Sequence, residues 1–228
     1  MGKFERNISL FGSEFNQKLV EKAVLIAGLG GVGGYACEAL TRLGVQRIVI
    51  VDYDTISESN INRQIIATTK TIGESKVAAF KRRMEEINPD INVETHNLKI
   101  DTETIKEIDF QSLDYIIDAV DDVDAKILLM KKSMENNIPM VSSMGMAKRM
   151  DSTQVRIDRL DKTKNDKLAR KIRYLARKEN IDIKKIMAVY SLEEAISSST
   201  TSLPSIVTVP ATAGLACATC FIKEFQNI

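Results

Sequence analysis

Residues 23–33 read Ala-Val-Leu-Ile-Ala-Gly-Leu-Gly-Gly-Val-Gly, and this stretch decides the fold. Five apolar residues running up to Gly28 have the length and composition of a buried strand. Gly28, Gly30 and Gly33 then form Gly-x-Gly-x-x-Gly, with Gly31 adding a fourth glycine to the loop. Residues 31–43 place Val32, Tyr35, Ala36, Ala39, Leu40 and Leu43 at helical spacing, and Gly44 fits a C-terminal cap. Arg47–Val51 is a second buried-type strand, ending at Asp52. Strand, glycine loop, helix, strand is the βαβ unit of a doubly wound sheet. Missing Cβ atoms let backbone N–H groups and the helix start approach a phosphate. Asp52 stands where a carboxylate accepts ribose hydroxyls. These residues alone do not choose among NAD, FAD and ATP; a dehydrogenase is their default reading.

Working outward, a helix is expected over 75–87, where Val77, Phe80, Met84 and Ile87 share a face and Asn88-Pro89 ends it. Ile91–Ile100 alternates like a third strand. Tyr115–Ala119 is a fourth, delivering Asp118 and Asp121 at its C-terminal end. A helix over 124–136, strands at Met140–Ser143 and Gln154–Leu160, a basic helix at about 164–179 and a strand at Met187–Ser191 follow. Ala195–Ser205 reads as a mobile Ser/Thr-rich loop, and a helix of small apolar residues at about 209–225 closes the chain. The expected fold is α/β, doubly wound and Rossmann-like, with a mainly parallel sheet and a mixed C-terminal extension. No repeat or linker divides it, so residues 1–228 are read as one domain.

Hydrophobic residues make up 44% of the chain and charged ones 28%, ordinary for a soluble globular protein. The net charge of +1 excludes a global pull toward polyanions, but residues 156–185 carry 12 Lys/Arg against 5 Asp/Glu. That local excess is a candidate polyanion-binding face. Three cysteines and no signal-peptide pattern point to a reducing cytosol, hence a cytoplasmic protein. The uncharged stretch Ala195–Ile222 contains Pro204 and Pro210, which favours a loop and buried helix over a membrane span. His96, the one histidine, falls in a strand and reads as a surface residue, which leaves no histidine-based triad.

The polar set after the second strand changes the reading. Asn60, Arg63, Gln64 and Lys76 place two cations in one segment, which suits a triphosphate better than a dinucleotide. A guanidinium and an ammonium can neutralise charge as a carboxylate attacks an α-phosphate. Asp118 and Asp121 lie on the side of the sheet where ligands bind, and a carboxylate there can hold Mg²⁺ against ATP phosphates.

Gly28-x-Gly-Gly-Val-Gly33, Asp52-x-Asp54, Asn60-x-x-Arg63-Gln64, Gly73-x-x-Lys76, Ile87-Asn-Pro89 and Asp118-x-x-Asp121 together resemble the ubiquitin-activating-enzyme-like superfamily, whose bacterial members adenylate carboxylates with ATP and Mg²⁺. The resemblance implies that Gly28, Gly30, Gly31, Gly33, Asp52, Asp54, Asn60, Arg63, Gln64, Lys76 and Asp121 bind the nucleotide. It implies ribose binding by Asp52, phosphate binding by Asn60 and Arg63, α-phosphate binding by Lys76, and metal binding by Asp121 as the catalytic acid. Arg6 matches the arginine that such homodimers lend to the partner's ATP site, so Asp121, Lys76, Arg63 and Arg6 are the expected catalytic set.

The sulfur-carrier-activating branch usually carries two Cys-x-x-Cys pairs on one zinc. Here Cys217 and Cys220 form one pair, and two thiolates cannot close a tetrahedral site. Cys37 reads as core. The C-terminal half is similar instead to the threonylcarbamoyladenosine dehydratases, through Ser143-Met-Gly145, Asp151-Ser-Thr-Gln154, Lys162-Thr163, Asp166-x-Leu168-Ala169, Arg173 and Val189-Tyr-Ser191-x-Glu193. Ser152 and Lys167 stand where that family usually has proline. The resemblance implies a tRNA substrate, and a cysteine desulfurase or sulfur acceptor as a further partner. Lys162, Lys164, Lys167, Arg170, Lys171, Arg173, Arg177 and Lys178 would neutralise RNA phosphates. The implied reaction adenylates the threonine carboxylate of the modified adenosine. A nitrogen of the same group then displaces AMP. Cyclisation is intramolecular and needs no enzyme nucleophile. Activation of a ubiquitin-like sulfur carrier and an NAD-dependent oxidoreductase are the rival readings.

Overall fold

A computed structural model describes residues 2–197 and 203–226. Seven strands form one sheet: β1 (Ala23–Ala27), β2 (Arg47–Val51), β3 (Asn92–His96), β4 (Tyr115–Asp118), β5 (Met140–Ser143), β6 (Val155–Arg159) and β7 (Ile186–Ser191). Their spatial order is β3-β2-β1-β4-β5-β7-β6. All neighbours run parallel except β6, which pairs antiparallel with β7. The doubly wound sheet with a mixed C-terminal edge is therefore as expected. The chain moves outward from β1 through β2 to β3 and then restarts at β4 on the other side. That switch point lies between β1 and β4, where such sheets open a ligand crevice at the C-terminal strand ends.

The helices are α1 (Glu5–Phe11), α2 (Ser13–Val20), α3 (Gly33–Leu43), α4 (Lys76–Ile87), α5 (Val123–Asn136), α6 (Lys167–Lys178) and α7 (Thr208–Gln226). All five residues of β1 are buried, as a strand covered on both faces requires. Val24 and Ile26 face a core with α2, α3, α4 and α7; Leu25 and Ala27 face a second core with α5 and α6. Helix ends follow local chemistry. Gly44 closes α3 at φ 88°, Asp122 caps α5 by accepting from the N–H groups of Asp124 and Ala125, and Asp166 caps α6 through Ala169 N–H. Tyr115, Phe221 and Phe225 meet edge to face at 5.3–6.1 Å and bind α7 to β4.

Several expected bounds move. Helix α3 starts at Gly33, two residues late, because residues 28–32 form the loop itself. Strand β3 stops at His96 rather than Ile100: its sole neighbour β2 ends at Val51, which pairs with His96, so nothing remains to pair beyond. Helices α1 and α2 were not foreseen. They pack as a short pair, turned at Gly12 with φ 83°. Of the loop expected over 195–205, residues 198–202 lie outside the described residues. The flanking parts are held: Ile196 N–H donates to Lys148 O, Lys148 N–H to Pro204 O, and Asn62 Nδ2 to Ser205 O. Among the described residues no helix is long and apolar enough to cross a membrane.

Candidate active site

The glycine loop sits at the C-terminal end of β1, over the switch point. Gly28 takes φ 85°, and a Cβ there would lie 2.7 Å from Ala119 O. A Cβ on Gly33 would lie 1.7 Å from Gly28 O. These two glycines are required by the loop's own packing. Gly30 differs: the nearest atom to a Cβ there is Gln64 Nε2 at 3.9 Å. The protein leaves open space at Gly30, a cradle that a side chain would fill. A Cβ on Gly31 would touch Pro210 of α7 at 3.2 Å, so the start of α7 closes the loop from the far side.

Asp52 follows β2 and is 8% exposed. Its carboxylate accepts from Leu29 N–H at 2.6 Å and from Asp54 N–H at 2.8 Å, tying the second strand's end to the glycine loop. Lys76, the first residue of α4, is 4% exposed. Its ammonium lies 2.7 Å from Asp54 Oδ2 and 3.6 Å from Asp52 Oδ2. Gln64 is buried beside Gly30 with Nε2 its nearest atom, and its Oε1 is unpartnered, which leaves an acceptor of that amide to be satisfied. A cradle without a Cβ, a buried cation and an orphaned amide fit a nucleotide's phosphates and hydroxyls. Asp121 is exposed one residue before the α5 cap. One carboxylate beside nucleotide phosphates is a donor set Mg²⁺ accepts.

The structure thus brings Gly28, Gly30, Gly31, Gly33, Asp52, Asp54, Gln64 and Lys76 together, with the Asp121 turn against Gly28. Two residues of the expected phosphate set are engaged locally. Asn60 Oδ1 accepts from Ser57 N–H at 3.1 Å, closing a capping box on a short helical turn. The Arg63 guanidinium folds onto Ser59 O at 2.7 Å and Asn62 Oδ1 at 2.9 Å. It lines an open cleft of about 590 Å³ between the 58–63 turn and Leu203–Ser205. Arg6 is exposed on α1, which packs at the opposite end of α3: Phe4 covers Gly44, and Asn7 donates to Arg42 O. An 11-residue helix spans about 16 Å, so Arg6 is remote from its own chain's glycine loop.

Asp118 requires a correction. It is not a free carboxylate at the crevice but fully buried, 3.0 Å from Lys126 Nζ and 2.5 Å from Ser142 Oγ. A buried carboxylate with those partners has no face left for an ion. Lys126 itself was missed. Its signal was available: it shares a helix face with Leu129, Met130 and Ser133, a charge in the buried stripe of α5.

The cysteines are core groups. Cys37 lies against Met84, and Cys217 and Cys220 are buried in α7. Burial pushes the Cys37 and Cys217 thiols far up and that of Cys220 to about 12. His96 is half-buried and pairs with Glu94 at 2.8 Å.

On α6, Lys167, Arg170, Lys171, Arg177 and Lys178 are exposed, and Lys162 and Lys164 lead into them. Tyr174 is 58% exposed among them, with Lys178 Nζ 4.6 Å above its ring. Arg173 departs from the expected set: it turns inward and donates to Thr163 O. Asp166 also accepts from Gly145 N–H and pairs with Arg149, whose guanidinium is buried and donates to Gly145 O and Glu193 O. The start of the basic helix is thereby anchored to the segment leaving β5.

Similarity to known proteins agrees with this geometry. The chain is 39% identical to the tRNA threonylcarbamoyladenosine dehydratase of Bacillus subtilis (strain 168), over 85% of this chain and 76% of that protein. It is 32% identical to the Escherichia coli (strain K12) protein of the same name, over 75% of this chain and 64% of the relative. The crystal structure of the E. coli tRNA N6-threonylcarbamoyladenosine dehydratase in complex with ATP superposes with a TM-score of 0.92 at 28% identity, covering 99% of this chain and 94% of that one. With the ThiF family model matching residues 4–227, this chain belongs to the ThiF family.

Proposed function

We propose that this chain is an ATP-dependent tRNA threonylcarbamoyladenosine dehydratase. The observation that carries the reading is the convergence of the open Gly30 cradle, the orphaned Gln64 amide and the buried Lys76 at one switch point. Likeness to dehydratases over most of the chain, one of them solved with ATP, supplies the substrate.

In this reading the phosphates lie along the glycine loop and the ribose against Asp52. The threonine carboxylate of the modified adenosine enters through the cleft beside Arg63 and attacks the α-phosphate. Pyrophosphate leaves, and Lys76 is placed to neutralise the charge that builds there. A nitrogen of the same modification then attacks the activated carbonyl, and AMP departs. Mg²⁺, held by Asp121, would offset phosphate charge. Asn60 and Arg63 would exchange their local partners for phosphate oxygens. The remoteness of Arg6 from its own glycine loop supports action on a partner's site, and hence a homodimer. A tRNA substrate supports a cytoplasmic location.

The test is nucleoside mass spectrometry of threonylcarbamoyladenosine-bearing tRNA incubated with protein, ATP and Mg²⁺. The expected result is loss of one water from that nucleoside with release of AMP. An unchanged peak would remove the proposal. ATP–pyrophosphate exchange driven solely by a small carrier protein would favour the sulfur-carrier reading, and NADH binding the oxidoreductase one.

The α6 face is the proposed RNA contact. Charges along a 12-residue helix cover about 18 Å of backbone path, with Tyr174 available to stack on an unpaired base. Changing Arg170, Lys171, Arg177 and Lys178 together to alanine is expected to leave ATP affinity unchanged and weaken tRNA binding. Each lost phosphate contact lowers the log–log salt slope by roughly 0.7–0.9, so four lower it by about 3. A filter-binding titration across salt concentrations reads this, and an unchanged slope would move the RNA elsewhere.

A further inference from the structure

Lys126 is fully buried, and nothing in the adenylation chemistry uses it. Its ammonium has three N–H donors and three partners: Ser143 O at 2.8 Å, Asp118 Oδ2 at 3.0 Å and Ser142 Oγ at 3.3 Å. Burying a lysine costs several kcal/mol unless it is fully paired, and a well-packed apolar residue usually serves stability as well. The surroundings show what the pair holds in place. Asp118 Oδ1 accepts from Val120 N–H at 3.2 Å, which orients the Ala119–Val120 peptide. That peptide is the one lying against Gly28. On the other side, Asp122 caps α5 through Asp124 and Ala125 N–H. Lys126 begins the next turn of α5 and reaches back to Asp118. Residues 118–126 therefore form a closed loop with Asp121 between two anchored carboxylates.

From this we infer that Lys126 is a positioning residue for adenylation. It fixes the Asp118–Asp122 turn so that the Asp121 carboxylate is held beside the glycine loop. It also neutralises Asp118, so that one carboxylate rather than two faces the nucleotide's phosphates. The catalytic part of the inference rests on the dehydratase reading; the structural part does not.

The test uses Lys126→Met/Asp118→Asn, which removes both charges together and avoids stranding a buried carboxylate. Thermal unfolding is expected within a few degrees of the wild type, and the ATP dissociation constant by calorimetry within about threefold. Amide hydrogen exchange at residues 119–122 of the ATP-free protein is expected to quicken at least tenfold, with the sheet unchanged. The kcat of tRNA-dependent ATP–pyrophosphate exchange is expected to fall at least tenfold with little change in KM for ATP. Unaltered amide protection overturns the inference whatever the wild-type activity. Wild-type kcat in the double variant overturns its catalytic part. A wild-type protein inert toward modified tRNA sinks the dehydratase reading instead, while amide exchange still decides the role of Lys126. Should the double variant fail to fold, Ser142→Ala removes one partner from both charges. It is expected to raise exchange at Val120 about threefold, and no change there counts against the inference.

Discussion

Replacing Lys76 with methionine is expected to lower adenylate formation by about 10²–10³-fold, the usual effect of removing one donor aimed at developing charge. Lys76 is 4% exposed, and its ammonium stands between Asp52 and Asp54 at the edge of the glycine loop. Shielded from water, a positive charge interacts with phosphate far more strongly than at an open surface. Its proposed role is greatest as pyrophosphate leaves, so kcat should fall more than KM for ATP rises. The fold should survive. Asp54 is about half exposed and can turn to solvent, while Asp52 keeps the N–H groups of Leu29 and Asp54. Pyrophosphate-exchange kinetics with thermal unfolding separate the two effects. A variant with kcat within threefold of the wild type would remove Lys76 from the mechanism.

The second large effect is expected at Gly33. A methyl group there would sit 1.7 Å from Gly28 O, a backbone atom that cannot rotate away. Gly28 in turn is held by its N–H to Val51 O at 2.8 Å and by the Ala119–Val120 peptide. Gly33→Ala should therefore destabilise by roughly 3 kcal/mol or more, the upper end of overpacking, and abolish ATP binding. Gly30→Ala is the informative contrast. Its methyl meets nothing closer than 3.9 Å, so the melting temperature should stay within a degree or two. ATP affinity should fall tenfold or more if phosphate approaches there. Calorimetry and thermal unfolding of both variants check this. Gly30→Ala binding ATP as tightly as the wild type would place the nucleotide elsewhere.

Much of the site was legible in the chain because its parts are local. The βα turn needs glycine where the backbone reverses, and a helix start approaches phosphate because its N–H groups are unpaired. Those demands leave marks at fixed spacing, so Gly28–Gly33, Asp52 and Lys76 could be read in order. Strand β3 was overextended because alternation over 91–100 says nothing about where its neighbour ends. Helices α1 and α2 were unforeseen although Phe4, Ile8, Phe11, Phe15 and Leu19 stand at helical spacing. That stripe is interrupted by Gly12, where the chain turns between two helices of seven and eight residues.

What the sequence by itself determined is the order of strands and helices from β1 onward, the glycine loop and the chemical inventory around a phosphate. What tertiary structure alone decided is which of those groups are available. Asp118 and Asp121 are equivalent in a sequence motif, three residues apart at a strand end. Only the sheet, by setting β5 beside β4 and α5 above them, places Ser142 and Lys126 on Asp118 and leaves Asp121 open. Arg173 and Arg177 are likewise one turn apart on a basic helix, and only the packing of α6 turns the first toward Thr163. Availability depends on partners distant in sequence, and those pairings exist once the chain has closed on itself.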